Sequence, residues 1–334
     1  YRIINSKVTR TGSGSQSELS VESEYSDEIF NQVRLSKNLK VVVDCGNGVA
    51  GDFAPDLLSR IGATVEELYC DVDGSFPNHH PDPAEPKNLQ DLIKAVKENQ
   101  ADLGLAFDGD GDRLGVVTKK GKIIWPDRLM MLFSKHVLKD NPGAKIISDV
   151  KCSKDLSSVV RQYDGDYIMW KTGHSHIKSK MKETGALLGG EFSGHICFKD
   201  KWYGYDDALY SAARLLEILA NTDQTADELF SEFPEKFCTP EIKLQTSESE
   251  KFKIMEDLVA NTKFPGATIN SIDGLRVEYD DSWGLIRASN TSPVLVLRFE
   301  ASDQKSLIGL QTLFQQKLNE VRPGLTFEIP IETE

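Results

Sequence analysis

Residues 101–117 read Ala101-Asp102-Leu103-Gly104-Leu105-Ala106-Phe107-Asp108-Gly109-Asp110-Gly111-Asp112-Arg113-Leu114-Gly115-Val116-Val117. The apolar run Ala101–Phe107 reads as a strand feeding a loop in which three aspartates alternate with two glycines, and the apolar run Leu114–Val117 leaves it. Massing three carboxylates so closely is costly unless a hard cation neutralises them. The glycines let the backbone turn tightly enough to aim all three at one point. Oxygen-only ligation favours Mg²⁺ or Ca²⁺ over zinc or copper. A solvated hairpin tip has a similar composition. An EF-hand is excluded: counted from Asp108, positions six and twelve require Gly and Glu and hold Arg113 and Lys119. The remaining reading is a cation site with a fixed positive charge beside it, suited to an anionic oxygen such as phosphate.

Outward from this loop, strand and helix patterns alternate. Lys40–Asp44 is a buried-strand run, Phe53–Ile61 a helix and Thr64–Tyr69 a strand, and Leu89, Leu92, Ile93 and Val96 give helical spacing. A second unit repeats the theme, with helices over Asp127–Leu138, Ser153–Tyr163 and His174–Glu183 and strands over Lys145–Val150, Tyr167–Lys171 and Ala186–Gly190. Past Phe233-Pro234-Glu235 the pattern becomes five short strands, within Glu241–Phe299, and a closing amphipathic helix, Asp303–Val321. The fold class expected is α/β: two three-layer α/β mixed-sheet domains, 21–122 and 123–236, followed by a smaller α+β domain with an antiparallel sheet, 237–334. Residues 1–20, polar and rich in Ser and Gly, read as a linker or the remnant of a missing first domain.

The chain has 334 residues, 39% of them apolar, enough for several cores. No apolar run approaches the roughly 20 residues of a membrane helix, and the sequence from Tyr1 is not a secretory signal. Five scattered cysteines without a C-x-x-C point to a reducing compartment, the cytoplasm, and away from a disulfide framework or zinc knuckle. A net charge of −13 disfavours nucleic acid as a partner, and any anionic substrate must be captured locally against the overall field. No obligate protein partner is indicated.

Several other segments carry chemistry. Gly46-Asn47-Gly48-Val49-Ala50-Gly51 matches G-x-G-x-x-G after a strand, with Glu67 and Asp71 at a distance suited to a ribose contact. It reads either as the loop of an NAD-dependent oxidoreductase or as a tight turn that needs glycine. Lys171-Thr172-Gly173-His174-Ser175-His176 exposes His174 near a helix start, as a proton donor, a phosphate contact or a surface residue. A Ser175–His176 nucleophile is disfavoured because no orienting acid is indicated. In Gly190-Glu191-Phe192-Ser193-Gly194-His195, residues Glu191, Ser193 and His195 alternate, so on an extended segment they project to one side and suit vicinal sugar hydroxyls. Arg287-Ala288-Ser289-Asn290-Thr291-Ser292-Pro293 supplies a cation, hydroxyls, an amide and backbone N–H groups, the donors a phosphate monoester needs. Arg298 is a further contact or a surface charge. His79 and His80 lie in a proline-punctuated loop and read as structural, and Asp206 or Asp207 reads as a helix N-cap.

Taken in order, D-G-D-G-D-R, G-E-x-S-G-H and R-x-S-N-T-x-P resemble the α-D-phosphohexomutase family, in its bacterial phosphomannomutase/phosphoglucomutase branch, over nearly everything after residue 21. The resemblance implies a four-domain enzyme of which this chain is domains two, three and four. It implies that Asp108, Asp110 and Asp112 hold Mg²⁺ and that Arg113 contacts the phosphoryl group. Glu191, Ser193 and His195 would hold sugar hydroxyls, and Arg287, Ser289, Asn290 and Thr291 would grip the non-reacting phosphate. His174 and Lys151 would line the same cleft and transfer protons. The substrates implied are hexose phosphates and a hexose bisphosphate. The family's phosphoserine, in a T-x-S-H-N-P-type loop, is not in this sequence, so the expectation is an inactive chain when alone. Phosphoglucosamine mutase is the alternative within the family, made less favourable by Phe192, where that relative usually carries Gln. A hinge near Phe233–Pro240 is expected to let the last domain swing.

Overall fold

The computed structural model describes residues 12–329, of which 12–20 are exposed and carry neither helix nor strand. The first group of elements is α1 (Glu22–Gln32), β1 (Lys40–Asp44), α2 (Ala54–Arg60), β2 (Thr64–Leu68), α3 (Gln90–Glu98), β3 (Leu103–Phe107), β4 (Leu114–Thr118) and β5 (Ile123–Ile124). Next come α4 (Pro126–Asp140), β6 (Lys145–Asp149), α5 (Asp155–Gln162), β7 (Asp166–Trp170), α6 (His174–Thr184), β8 (Leu188–Gly190), β9 (Ile196–Phe198), α7 (Ala208–Ala220) and α8 (Ala226–Ser231). The last group is β10 (Phe237–Cys238), β11 (Ile242–Gln245), α9 (Glu248–Asn261), β12 (Thr268–Asn270), β13 (Leu275–Glu278), β14 (Ser282–Ala288), β15 (Val294–Ala301) and α10 (Gln304–Val321).

The first sheet runs β2-β1-β3-β4-β5, parallel across β2, β1 and β3 and antiparallel beyond. The second runs β7-β6-β8-β9, parallel across β7, β6 and β8 and antiparallel at β9. Both are mixed sheets of one plan, in which two parallel neighbours flank a first strand and a hairpin comes after. The aspartate loop at β3–β4 and the Glu191 turn at β8–β9 therefore occupy equivalent places. Within β1, Val41 and Val43 face one core and Val42 the other, the period of two that a sheet covered on both faces requires. Residues of α4 and α7 share a single core with both sheets, while α3 and α6 cover the outer faces. The third sheet is antiparallel, β10-β15-β14-β13-β12 with β11 also on β15, and α9 and α10 pack on one face. Asp303 caps α10, accepting the Ser306 N–H at 2.8 Å.

Arg298 is neither of the alternatives read from sequence. It is 1% exposed, pairs with Asp127 at 3.1 Å, donates to the Lys151 carbonyl and lies 3.5 Å over the Phe192 ring. It joins the third sheet to the second unit, alongside Ser153 donating to Glu300 at 2.8 Å and Arg276 donating to the carbonyls of Val150 and Cys152 at 2.5 and 2.8 Å.

Candidate active site

The register Phe107↔Leu114 leaves Asp108–Arg113 as the connection between β3 and β4. Asp108 folds back into its own loop, its Oδ1 accepting the backbone N–H groups of Asp112 and Arg113, each at 3.0 Å. Arg113 donates from Nε to Asp108 Oδ2 at 2.6 Å and from Nη1 to Asp82 at 2.9 Å, so two carboxylates fix its plane. Carboxylate oxygens of Asp108, Asp110 and Asp112 lie within 4.8 Å of one another. Burial pushes Asp108 up to about 6, although Arg113 pulls the other way. A buried carboxylate driven toward neutrality beside two others is a donor set that fits a hard dication, whose charge would hold it ionised.

Between β8 and β9 the backbone closes tightly. Glu191 N–H donates to His195 O at 2.9 Å, Gly194 N–H to Glu191 O at 3.1 Å, and Gly194 has φ +108°. This corrects the extended reading of Glu191–His195: the segment is a turn, and its three polar side chains meet because the chain curls rather than because it alternates. Ser193 Oγ lies 2.9 Å and Glu191 Oε2 3.1 Å from His195 Nδ1. The turn docks on the aspartate loop, with Leu114 N–H donating to Gly194 O at 3.2 Å and His195 Nε2 at 3.3 Å from Asp112. Burial opposes charge on His195, but its hydrogen bonds to Asp112 and Glu191 outweigh it and raise the imidazole to about 9. Glu191 is held below its ordinary value despite burial, chiefly by the hydrogen bond to His195.

His174 opens α6 behind Gly173, whose φ of +128° suits glycine alone. Its Nδ1 lies 2.5 Å from Asp206, which Lys178 also binds at 2.6 Å, and its ring centroid is 5.2 Å from that of His195. Asp207, not Asp206, caps α7, accepting the Tyr210 N–H at 2.9 Å. Ser175 and His176 are exposed on the same first turn as His174. Lys151 is buried with Glu241 at 2.6 Å and Asp149 at 3.7 Å; burial works against its charge, but these carboxylates raise it above the ordinary lysine value. A charged, paired ammonium is a poor general base at neutral pH.

Arg287 ends buried on Asp273, at 3.0 and 3.4 Å. Asp273 also accepts the Thr172 N–H at 2.9 Å, tying the third sheet to the His174 loop. Ser289 Oγ accepts the N–H groups of Thr291 and Ser292 at 3.3 and 3.2 Å, while Asn290 and Thr291 face outward. A continuous polar path thus runs from Asp112 through His195 and Glu191 to the Gly173 N–H, then from the Thr172 N–H through Asp273 to Arg287. Asp273 completes this path, while Asp82 and Asp206 hold Arg113 and His174 beside it. The sequence does not single out Asp82 or Asp273, each one acidic residue in a polar loop, and offers Asp206 only as a helix N-cap. A cavity of about 500 Å³ opens beside Asp110, Asp112 and Asp206, walled by Tyr25, Phe53 and Leu209.

The glycine-rich loop does not offer a dinucleotide site. Its donors are already engaged: Asn47 N–H with Tyr69 O at 2.8 Å, Gly48 N–H with Cys45 O at 2.7 Å and Val49 N–H with Gly109 O at 3.1 Å. The loop leads into a four-residue 3₁₀ turn, Val49–Asp52, too short to present a helix N-terminus to a pyrophosphate.

Three family models match the chain: phosphoglucomutase/phosphomannomutase alpha/beta/alpha domain II over residues 23–121, domain III over 125–237 and the C-terminal domain over 241–314. A phosphomannomutase/phosphoglucomutase of Pseudomonas putida is 56% identical over 90% of this chain and 65% of its own length. Its counterpart in Pseudomonas aeruginosa is 54% identical over 94% of this chain and 68% of its own. The crystal structure of a phosphoglucomutase/phosphomannomutase family protein from Burkholderia thailandensis superposes with a TM-score of 0.90 at 51% identity, covering 97% of this chain and 69% of that one. The chain spans about two thirds of the length of the relatives it matches.

Proposed function

The chain belongs to the phosphoglucomutase/phosphomannomutase family, and on that premise we propose that the complete protein interconverts hexose 1-phosphate and hexose 6-phosphate, of mannose and/or glucose, through a bisphosphorylated sugar. The observation that carries this reading is the polar path from the aspartate loop through the Glu191 turn to Arg287. It joins a cation site, hydroxyl-reading groups and an anion-binding turn, the three parts that moving a phosphoryl group between two ends of one sugar requires.

Asp108, Asp110 and Asp112 would hold Mg²⁺, which supplies positive charge against the oxygens of a transferring phosphoryl group. Arg113, clamped by Asp108 and Asp82, presents its guanidinium at the same place without having to reorganise. Glu191 and Ser193 meet sugar hydroxyls, and the charged His195 holds Glu191 in position. His174, exposed and oriented by Asp206, is the side chain best placed to carry a proton to or from a hydroxyl. Lys151 serves as a fixed cation. The outward Asn290 and Thr291, with Arg287 behind them, hold whichever phosphate is idle, and a donor-rich turn of this kind tolerates the two orientations the sugar must adopt. The phosphoryl donor implied by the family is a serine outside these 334 residues. The scattered free thiols support a cytoplasmic setting.

The test is a coupled assay with Mg²⁺. The complete protein is expected to convert mannose 1-phosphate or glucose 1-phosphate to the 6-phosphate, with glucosamine phosphate a poor substrate, while the 334-residue chain alone shows no turnover. Turnover by the chain alone would overturn the assignment of the donor, and a preference for glucosamine phosphate would replace the hexose reading.

A further inference from the structure

We propose that Cys45 and Cys70 form an oxidation site for hydroperoxides that closes as an intramolecular disulfide. Their sulfurs lie 3.7 Å apart, both as free thiols. The contact is built by the backbone. β1 and β2 are parallel with Asp44 opposite Leu68, so Cys45 continues the register opposite Tyr69. On a regular strand Cys70 would then point to the opposite face. Tyr69, however, has φ +53°, a left-handed conformation uncommon for a non-glycine residue, and it turns the Cys70 side chain back onto Cys45.

Three contacts hold that turn in place. Cys45 N–H donates to Leu68 O at 3.2 Å and Asn47 N–H to Tyr69 O at 2.8 Å. The Cys70 carbonyl lies so near Gly51 that a Cβ there would come within 1.9 Å of its oxygen. The two thiols therefore sit on adjoining turns that are already stitched together, and a bond between them closes little new loop.

The pair is also asymmetric in the way a two-cysteine oxidation site needs. Cys70 is part-exposed and Cys45 fully buried. The hydrogen bond shared with Cys45 lowers the Cys70 thiol from its ordinary value, while the same bond and burial raise Cys45. Cys70 is thus the sulfur that a peroxide reaches and that attacks it, and Cys45 is the shielded resolving thiol. In the first step Cys70 sulfur attacks the peroxide, the O–O bond breaks, and Cys70-SH plus ROOH gives Cys70-SOH plus ROH. In the second, Cys45 sulfur attacks Cys70 sulfur, the S–O bond breaks, and the Cys45 proton leaves with the hydroxide as water. The two sulfurs together lose the two electrons that the peroxide gains.

The test uses the whole chain, reduced, freed of reductant and exposed to hydrogen peroxide. Two of its five thiols are expected to disappear together, a peptide joining Cys45 to Cys70 to appear by mass spectrometry, and dithiothreitol to restore both. Cys70→Ser should keep its remaining thiols under the same exposure. Cys45→Ala should stop at a sulfenic acid on Cys70 that a cyclic 1,3-dione traps. Because position 45 is buried and its variant can fail to fold, the wild-type peptide map and Cys70→Ser decide the matter without it. Retention of all five thiols, first loss at the part-exposed Cys238, cross-linking between molecules, or wild-type thiol loss in Cys70→Ser would each overturn the proposal.

Discussion

His79, read from the sequence as structural, binds both oxygens of the buried Asp44 at 3.1 and 3.0 Å at the mouth of the glycine turn. That hydrogen bond is the main cause that raises its imidazole to about 8, with burial opposing. Since the folded value exceeds the unfolded one, about 6.5, the stabilisation is complete below pH ~6.5 and is lost as pH rises through about 8. Denaturant midpoints measured from pH 6 to 9 should fall across that window, and His79→Gln should make the fall shallower, leaving the part that belongs to His195, while costing about 1–2 kcal/mol at pH 6. A profile in His79→Gln parallel to that of the wild type would remove the role. Arg113 tests the site itself. A lysine cannot engage Asp108 and Asp82 together while facing a phosphoryl group. In the complete protein Arg113→Lys should therefore lower kcat by about 10²-fold with little change in the denaturation midpoint, the size of effect seen when one preorganised transition-state donor is removed. An unchanged kcat would put Arg113 outside the chemistry.

Among the elements, strands are legible where an apolar run ends at Gly, Asp or Pro: Lys40–Asp44 is reproduced residue for residue as β1. Helix α9 is not legible, because its buried positions, Lys251, Ile254, Met255 and Leu258, include a lysine and lie among charged residues. Local pattern also misjudges Glu191–His195, where alternation suggests an extended strand but glycine at φ +108° permits a closed turn. Partners far apart in the chain leave no mark in the sequence at all. Thr172 and Asp273 stand 101 positions apart, and no periodicity links them. The docking of the Glu191 turn depends on Gly194, where a Cβ would lie 3.2 Å from both Arg113 Cβ and Leu114 O. Gly194→Ala should cost about 1–3 kcal/mol through backbone strain and separate the two loops. Urea unfolding of the chain and kcat/KM of the complete protein should fall together, and a stable variant with full activity would show that the docking is dispensable.

At the scale of the whole molecule, the antiparallel domain is fastened to the second sheet by buried polar contacts rather than by a broad apolar face. Val150, Trp283 and Leu285 form only a small shared cluster. Arg298 with Asp127, Ser153 with Glu300, Lys151 with Glu241, and Arg276 with the Val150 and Cys152 carbonyls are the main polar contacts beside it. Contacts of this kind specify one docked geometry and, once their partners are lost, strongly oppose it. Removing the guanidinium in Arg298→Ala leaves Asp127 buried without its cation, a loss of about 3–5 kcal/mol. Calorimetry should then resolve a separate transition for the last domain ahead of the rest. The same interface governs motion. Because the Arg287 turn sits on the far side of the connection Phe233–Pro240 from Glu191, capture of a sugar phosphate bridging the two is expected to draw the last domain inward about that segment. Small-angle scattering of the chain with saturating glucose 1,6-bisphosphate should show a smaller radius of gyration than the free chain, and the Arg298→Ala chain a larger one that the ligand contracts further. Superimposable profiles with and without ligand, for a chain shown by calorimetry to bind it, would mean that the cleft is already closed and that the connection does not act as a hinge.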